Sequence, residues 1–218
     1  MKKIYVSAST NPPKESELID YVRKIDGIVD FMHCDVMDGK FVESKCLSSK
    51  MVKQINGIST VKLDVHLMIQ SPIKKIKDFA KAGANIITVH YEALGTKTKV
   101  IHCLNKIKEF GCMRGLAINP DTPVEQIKPY LPLVDVVLVM SVVPGKSGQE
   151  FMKSVLPKIK TLSQLRFAKQ YKYMIEVDGG INNKNSTILI NNGADILVSG
   201  SFLYKSKDFK QTIFSLKY

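Results

Sequence analysis

Two short segments set an imidazole and a carboxylate two residues apart: His33-Cys34-Asp35 and Asp64-Val65-His66. Alternate side chains of an extended strand share a face, so His33 and Asp35 point one way and Cys34 the other. A third segment, Glu176-Val177-Asp178-Gly179-Gly180, ends an apolar run with another carboxylate. His33, Asp35, His66 and a carboxylate of this third segment, two imidazoles and two carboxylates on three strands, make a mixed nitrogen and oxygen set suited to one divalent transition metal such as zinc, iron(II), cobalt or manganese. His33 with Asp35 is the strongest local pair, because a charged Asp in the same inward register as a His is costly to bury without a partner or cation.

Glycine supplies the second signal. Pro144-Gly145-Lys146-Ser147-Gly148-Gln149, Asp178-Gly179-Gly180 and Ser199-Gly200-Ser201 all follow apolar runs late in the chain. One such loop reads as a turn, whereas three in succession read as backbone that can approach an anion closely. A phosphate fits, on a mononucleotide or a sugar alike.

The elements that must carry these groups alternate along the chain. Val/Ile-rich runs at Ile4 to Ala8, Asp30 to Val36, Val61 to Met68, Asn85 to His90, Met113 to Ile118, Val134 to Ser141, Met174 to Val177 and Ile196 to Ser199 predict strands. Amphipathic stretches near 15–25, 47–56, 72–82, 97–110, 124–130, 152–170, 185–191 and 207–216 predict helices between them. Gly83, Gly111 and Gly193 sit where left-handed helix caps are needed, and Ser71-Pro72 and Thr122-Pro123 read as N-caps followed by a first-turn proline.

Eight βα units of about 27 residues each lie near the lower limit of a (β/α)8 barrel, and residues 1–218 are expected to form one such domain. A doubly wound open sheet is the competing fold, weakened by the lack of a G-x-G-x-x-G after the first strand. In a barrel the chemistry belongs at the C-terminal ends of the strands, where the three ligand-bearing segments and the glycine loops all fall. His90 reads first as barrel lining or a structural hydrogen bond and second as a pocket residue; His102, within a predicted helix, has no assigned role.

Composition narrows the function classes. Apolar residues make up 44% of the chain, enough for a sizeable core, which excludes disorder. The longest apolar run, Val136 to Val143, stops at Pro144 and is far short of a spanning helix, so no membrane association is expected. Met1-Lys2-Lys3 followed by only Ile4-Tyr5-Val6 is not a signal peptide, and the chain is read as unprocessed. The net charge of +12 invites a polyanion, but the lysines fall in ones and twos on helix faces, as at Lys74-Lys75-Lys77, without an Arg-rich stripe. Solvated helix surface is therefore expected rather than a nucleic-acid site. Cys34, Cys46, Cys103 and Cys112 form no C-x-x-C pair, which fits a reducing cytoplasm without disulfides.

The motifs taken together resemble the ribulose-phosphate 3-epimerase family. His33-Cys34-Asp35-Val36-Met37-Asp38-Gly39 is similar to its H-x-D-V-M-D-G, Leu63-Asp64-Val65-His66-Leu67-Met68 to its third-strand motif, and Glu176-Val177-Asp178-Gly179-Gly180-Ile181 to its seventh. Ala117 to Pro123, Met140-Ser141-Val142 and Val155 to Ile159 extend the resemblance over most of the chain. It implies a (β/α)8 barrel of the ribulose-phosphate-binding type that interconverts D-ribulose 5-phosphate and D-xylulose 5-phosphate.

By the same resemblance His33, Asp35, His66 and Asp178 would hold one divalent metal, and Asp35 and Asp178 would be the catalytic acid/base pair. The metal would act as a Lewis acid towards an enediolate. Ser7 and His66 would touch the substrate, while Gly145, Lys146, Ser147, Gly148, Gly179, Gly180, Gly200 and Ser201 would surround its phosphate. Met37, Met68 and Met140 match methionines near the metal, with core packing an equal reading for Met68. The partners implied are a small ketose phosphate and further copies of the chain in a homo-oligomer.

Departures from the family pattern gather at the mouth. P-S-I-L-S becomes Val6-Ser7-Ala8-Ser9-Thr10, G-H-F-V-P-N becomes Gly39-Lys40-Phe41-Val42-Glu43-Ser44, and P-G-F-G-G-Q becomes Pro144-Gly145-Lys146-Ser147-Gly148-Gln149. They keep the ligand set and open the question of substrate, with D-allulose 6-phosphate as the alternative. A non-catalytic phosphate-binding barrel would keep the glycine loops without needing four converging ligands. Decarboxylase and aldolase-like relatives carry D-x-K-x-x-D on the third strand, where this chain reads Asp64-Val65-His66-Leu67-Met68-Ile69.

Overall fold

Val136-Val137-Leu138-Val139-Met140 is buried at every position, as a parallel strand enclosed on both faces must be. In the computed structural model, which describes residues 2–11 and 15–218 and so leaves Met1 of the basic start outside, this strand is one of eight that close into a parallel barrel. The strands are β1 (Tyr5–Ser9), β2 (Phe31–Asp38), β4 (Lys62–Met68), β5 (Ala84–His90), β6 (Met113–Ile118), β7 (Val136–Met140), β8 (Met174–Asp178) and β9 (Ile196–Ser199). They pair in sequence, β9 pairs with β1, and the β1–β2 pairing shuts the ring. Closure sets aside the open sheet. A two-residue strand, β3 (Lys45–Cys46), pairs antiparallel with Met37 and Asp38 at the end of β2; so short a segment carries no periodicity to read.

The helices are α1 (Leu18–Ile25), α2 (Ser49–Ile58), α3 (Ile76–Lys81), α4 (Tyr91–Leu94), α5 (Lys97–Glu109), α6 (Leu156–Ala168), α7 (Ser186–Asn192), α8 (Ser201–Tyr204) and α9 (Phe209–Lys217). Ser48, Thr96 and Asp208 cap α2, α5 and α9 through their side chains. Gly83, Gly111 and Gly193 take the expected positive φ. The helix expected over 124–130 is instead two 3-10 segments, Val124–Gln126 and Lys128–Leu133, because Pro129 and Pro132 each remove a backbone donor. The two proline caps also differ from expectation. Ser71 makes no side-chain cap bond, and the Thr122 hydroxyl goes to Glu92.

Period-two alternation divides the strands between two cores. One parity, including Val6, Met32, Cys34, Val65, Val89, Val137 and Val177, packs in the main core with helix residues such as Ile55, Leu104 and Leu162. The other forms a separate cluster of Phe31, Ile86, Val136 and Ile196 with Tyr5, Met113 and Met174. Two residues further along four of these strands come Ser7, His33, Thr88 and Glu176, with Asp64 of β4 opposite His33, all fully buried. An apolar floor therefore lies beneath a polar layer, and the site is built above both. Among the described residues no helix is long and apolar enough to cross a membrane, and Cys34, Cys103 and Cys112 are buried thiols.

Candidate active site

Register assembles the cluster. In the β2–β4 pairing His33 stands opposite Asp64 and Asp35 opposite His66, while β7 sets Met140 beside Asp178 of β8. One donor atom each from His33, Asp35, His66 and Asp178 lies within 4.8 Å of the others. Asp35 Oδ1 is 3.1 Å from both His33 Nε2 and His66 Nδ1, and Asp178 Oδ2 is 3.9 Å from His33 Nε2. Two buried imidazoles and two carboxylates at this spacing fit the donor chemistry of a borderline divalent cation. The cluster could hold a metal ion.

The electrostatics set the two carboxyls apart. Burial pushes Asp35 up, but the His33 charge and hydrogen bonds from His33 and His66 hold it below the usual carboxylate range. Burial and the Asp35 charge together push Asp178 up to about 7. His33 is raised well above its ordinary value, since the Asp64 and Asp35 charges outweigh its burial. A wall of carboxyls thus leaves one aspartate ionised and the other able to carry a proton near neutrality.

A deeper layer orients the ligands, and sequence reasoning missed its function. Asp64 Oδ2 lies 2.6 Å from His33 Nδ1 and accepts a hydrogen bond from Ser7 Oγ at 3.1 Å. Glu176 Oε1 lies 3.7 Å from the same His33 nitrogen; burial and the Asp64 charge raise its pKa well above the ordinary value, favouring its neutral form. Both residues share the inward parity of His66 and Asp178, which is the signal that was available. His90 turns out to be the hydrogen-bonded interior residue, with Nε2 2.8 Å from His66 Nε2 and Nδ1 3.1 Å from Glu92 Oε2. Burial lowers its pKa to about 4, so it is neutral.

A pocket opens above the cluster. Asp35 and Asp178 line it, as do Gly145, Lys146, Ser147, Gly148, Gly179, Gly180, Gly200 and Ser201, with Met37, Met68 and Met140 as an apolar wall. Gly179 and Gly180 have φ of +123° and +66°, and a Cβ would come within 2.5 Å of Val142 and 2.6 Å of the Phe151 backbone nitrogen. Only glycine makes that floor. Lys146 is exposed, its Nζ 3.9 Å from Glu43 Oε2, so two of the altered mouth positions face each other.

Ser7 and His66 do not line this pocket. Both are fully buried, and the Ser7 hydroxyl is committed to Asp64. The corresponding inward position one step nearer the mouth is Ser9, whose Oγ donates to Asp35 Oδ2 at 3.2 Å alongside Asn11 Nδ2 at 3.2 Å. Ser7 thus lies one step below Ser9 on the inward side of β1, hydrogen-bonded to the Asp64 carboxylate that orients His33.

Comparison with known proteins follows the same lines. A sequence model of the ribulose-phosphate 3 epimerase family matches residues 5–204. The chain is 42% identical over 192 residues to a ribulose-phosphate 3-epimerase of Bacillus subtilis, covering 88% of this chain and 87% of that protein. It is 38% identical over 213 residues to the Synechocystis protein of the same name, covering 97% and 92%. Among solved structures, 3-keto-L-gulonate-6-phosphate decarboxylase from Vibrio cholerae superposes with a TM-score of 0.74 at 14% identity, over 99% of this chain and 96% of the other. N-(5'-phosphoribosyl)anthranilate isomerase from Pyrococcus furiosus gives 0.62 at 17%, over 98% and 96%. These two likenesses show the shared barrel.

Proposed function

The chain belongs to the ribulose-phosphate 3 epimerase family, and from that premise we propose that it inverts C3 of D-ribulose 5-phosphate to give D-xylulose 5-phosphate, with Asp35 and Asp178 as the two proton carriers. The observation that carries this reading is that the Asp35 and Asp178 carboxyls, on different strands, converge in one donor cluster and both line the pocket above it. Inversion requires a proton to leave one face of C3 and another to arrive on the opposite face, so a base and an acid must flank the carbon. In one direction the ionised Asp35 carboxylate takes the C3 proton and the neutral Asp178 carboxyl delivers one; in the reverse direction the roles exchange.

His33, Asp35, His66 and Asp178 are the residues that would hold a divalent cation. When bound it supplies Lewis acidity where charge builds on the substrate as the C3 proton leaves. The methionine wall of Met37, Met68 and Met140 excludes water from that carbon. The loops at 145–148, 179–180 and 200 receive the phosphate, with Gly145, Gly179 and Gly180 lying where a side chain would clash, and Lys146 adds a positive charge at the rim.

The pentulose is preferred to the six-carbon alternative because the Bacillus subtilis and Synechocystis relatives carry the pentulose-phosphate name. The test is to supply D-ribulose 5-phosphate and D-allulose 6-phosphate separately to protein reconstituted with zinc, cobalt, manganese or iron(II). Rapid formation of the pentulose epimer is expected. Faster turnover of the hexulose would move the substrate assignment, and turnover of neither would end it.

A further inference from the structure

His66 begins a hydrogen-bonded chain that leads away from the pocket. His66 Nε2 is 2.8 Å from His90 Nε2, and His90 Nδ1 is 3.1 Å from Glu92 Oε2. Glu92 Oε1 accepts from the Asn119 backbone N–H at 2.8 Å and from the Thr122 hydroxyl. Both imidazoles are fully buried and stacked with centroids 4.9 Å apart, and the Phe41 ring lies 4.8 Å from that of His90. The loop that fixes Glu92 is itself held by Lys158, whose Nζ donates to the carbonyls of Asn119 at 3.1 Å and Thr122 at 2.6 Å.

Hydrogen counting gives this chain a direction. Three gaps run between Asp35 Oδ1 and Glu92 Oε2: carboxylate to His66, His66 to His90, and His90 to carboxylate. Two neutral imidazoles bring two N–H hydrogens, so one gap must have lone pairs on both sides. If the hydrogens fill the His66–His90 and His90–Glu92 gaps, the bare gap lies between His66 Nδ1 and Asp35 Oδ1. That gap faces the cluster, since the same Asp35 Oδ1 is 3.1 Å from His33 Nε2 and both residues belong to the group whose donors converge.

We infer that His90 and Glu92 are positioning residues that hold His66 in its Nε2–H tautomer and so present the Nδ1 lone pair to a divalent cation. The inference rests on the metal site proposed above and extends it two residues inward. Glu92 suits the task because three donors converge on it, and a carboxylate accepts from all three. An amide has a single acceptor oxygen, and its NH2 must meet one of those donors. Facing His90 it would donate to Nδ1, moving the His90 hydrogen to Nε2 and the His66 hydrogen to Nδ1, where ligation needs a lone pair.

The experiment compares the parent protein with Glu92→Gln for Zn²⁺ and Co²⁺ affinity, by competition with a chromophoric chelator. A loss of about 10- to 100-fold is expected in a variant that still unfolds cooperatively. On the zinc-loaded parent, imidazole ¹⁵N shifts are expected to place the hydrogen of His66 on Nε2 and that of His90 on Nδ1, a readout that does not depend on any variant folding. Equal metal affinity in parent and variant, or a His90 hydrogen on Nε2 in the parent, would overturn the inference. A parent that binds neither ion would overturn it together with the metal site. Epimerase activity enters neither readout, so failure of the substrate assignment would be seen separately.

Discussion

The Asp64 carboxylate lies 2.6 Å from Nδ1 of His33, on the neighbouring strand and in direct register with it. That contact turns the other nitrogen, Nε2, towards Asp35 and Asp178. Asp64→Ala removes the acceptor that sets this orientation while leaving all four cluster donors in the sequence. Divalent-metal affinity is expected to fall about 10- to 100-fold. Isothermal titration of the metal-stripped proteins measures it; unchanged affinity would show that His33 is held by the barrel alone.

Asp35→Asn and Asp178→Asn each remove one proton carrier with little change in volume. Turnover in each is expected to drop by about 10²- to 10⁴-fold, the usual worth of a positioned acid or base. Thermal unfolding should remain cooperative, since the apolar floor and the helix-side core are untouched. Steady-state kinetics beside a melting curve make the comparison, and near-parent turnover in either variant would remove it from the proton-carrying pair.

Lys146 stands at the pocket rim, largely solvent-exposed and 3.9 Å from Glu43. Lys146→Ala is expected to raise KM severalfold with kcat retained, because the charge attracts the phosphate without touching C3. Glu43→Gln frees the lysine and should lower KM. If both variants match the parent, the pair is solvated surface.

Away from the site, Asp135 accepts from Arg114 Nε at 2.9 Å and from the Arg114 backbone N–H at 2.8 Å. Burial pushes this carboxyl up, but the arginine contacts hold it below its usual value. A folded pKa below the unfolded one, about 3.9, means that the stability it contributes is complete above that pH and lost as pH falls through the folded value. Denaturant unfolding between roughly pH 5 and pH 2 is expected to show a shallower acid loss in Asp135→Asn than in the parent. Parallel acid limbs would assign that loss elsewhere.

Much of this was legible in the sequence, for identifiable reasons. The alternation of apolar runs with amphipathic stretches in eight evenly spaced units pointed to a parallel barrel, and strand parity put His33 and Asp35 on one face. The roles of Asp64, Glu176 and Glu92 were not legible because they depend on register and on a loop return, as between Glu92 and Asn119. Parity puts both Ser7 and Ser9 on the inward side of β1 but could not say which carboxylate each would meet, Asp64 for Ser7 and Asp35 for Ser9. At 124–130 helical spacing was present, but Pro129 and Pro132 limited the segment to 3-10 turns.

The two-carboxylate inversion is tested most directly by the fate of the C3 hydrogen. Metal-reconstituted protein turns over D-ribulose 5-phosphate in deuterated water, and NMR follows C3 of the product from the first turnovers. The D-xylulose 5-phosphate formed is expected to carry solvent deuterium at C3, delivered by a group other than the one that took the proton. Product that retains the original C3 hydrogen would mean that one group both removes and returns it, and would contradict the pairing of Asp35 with Asp178.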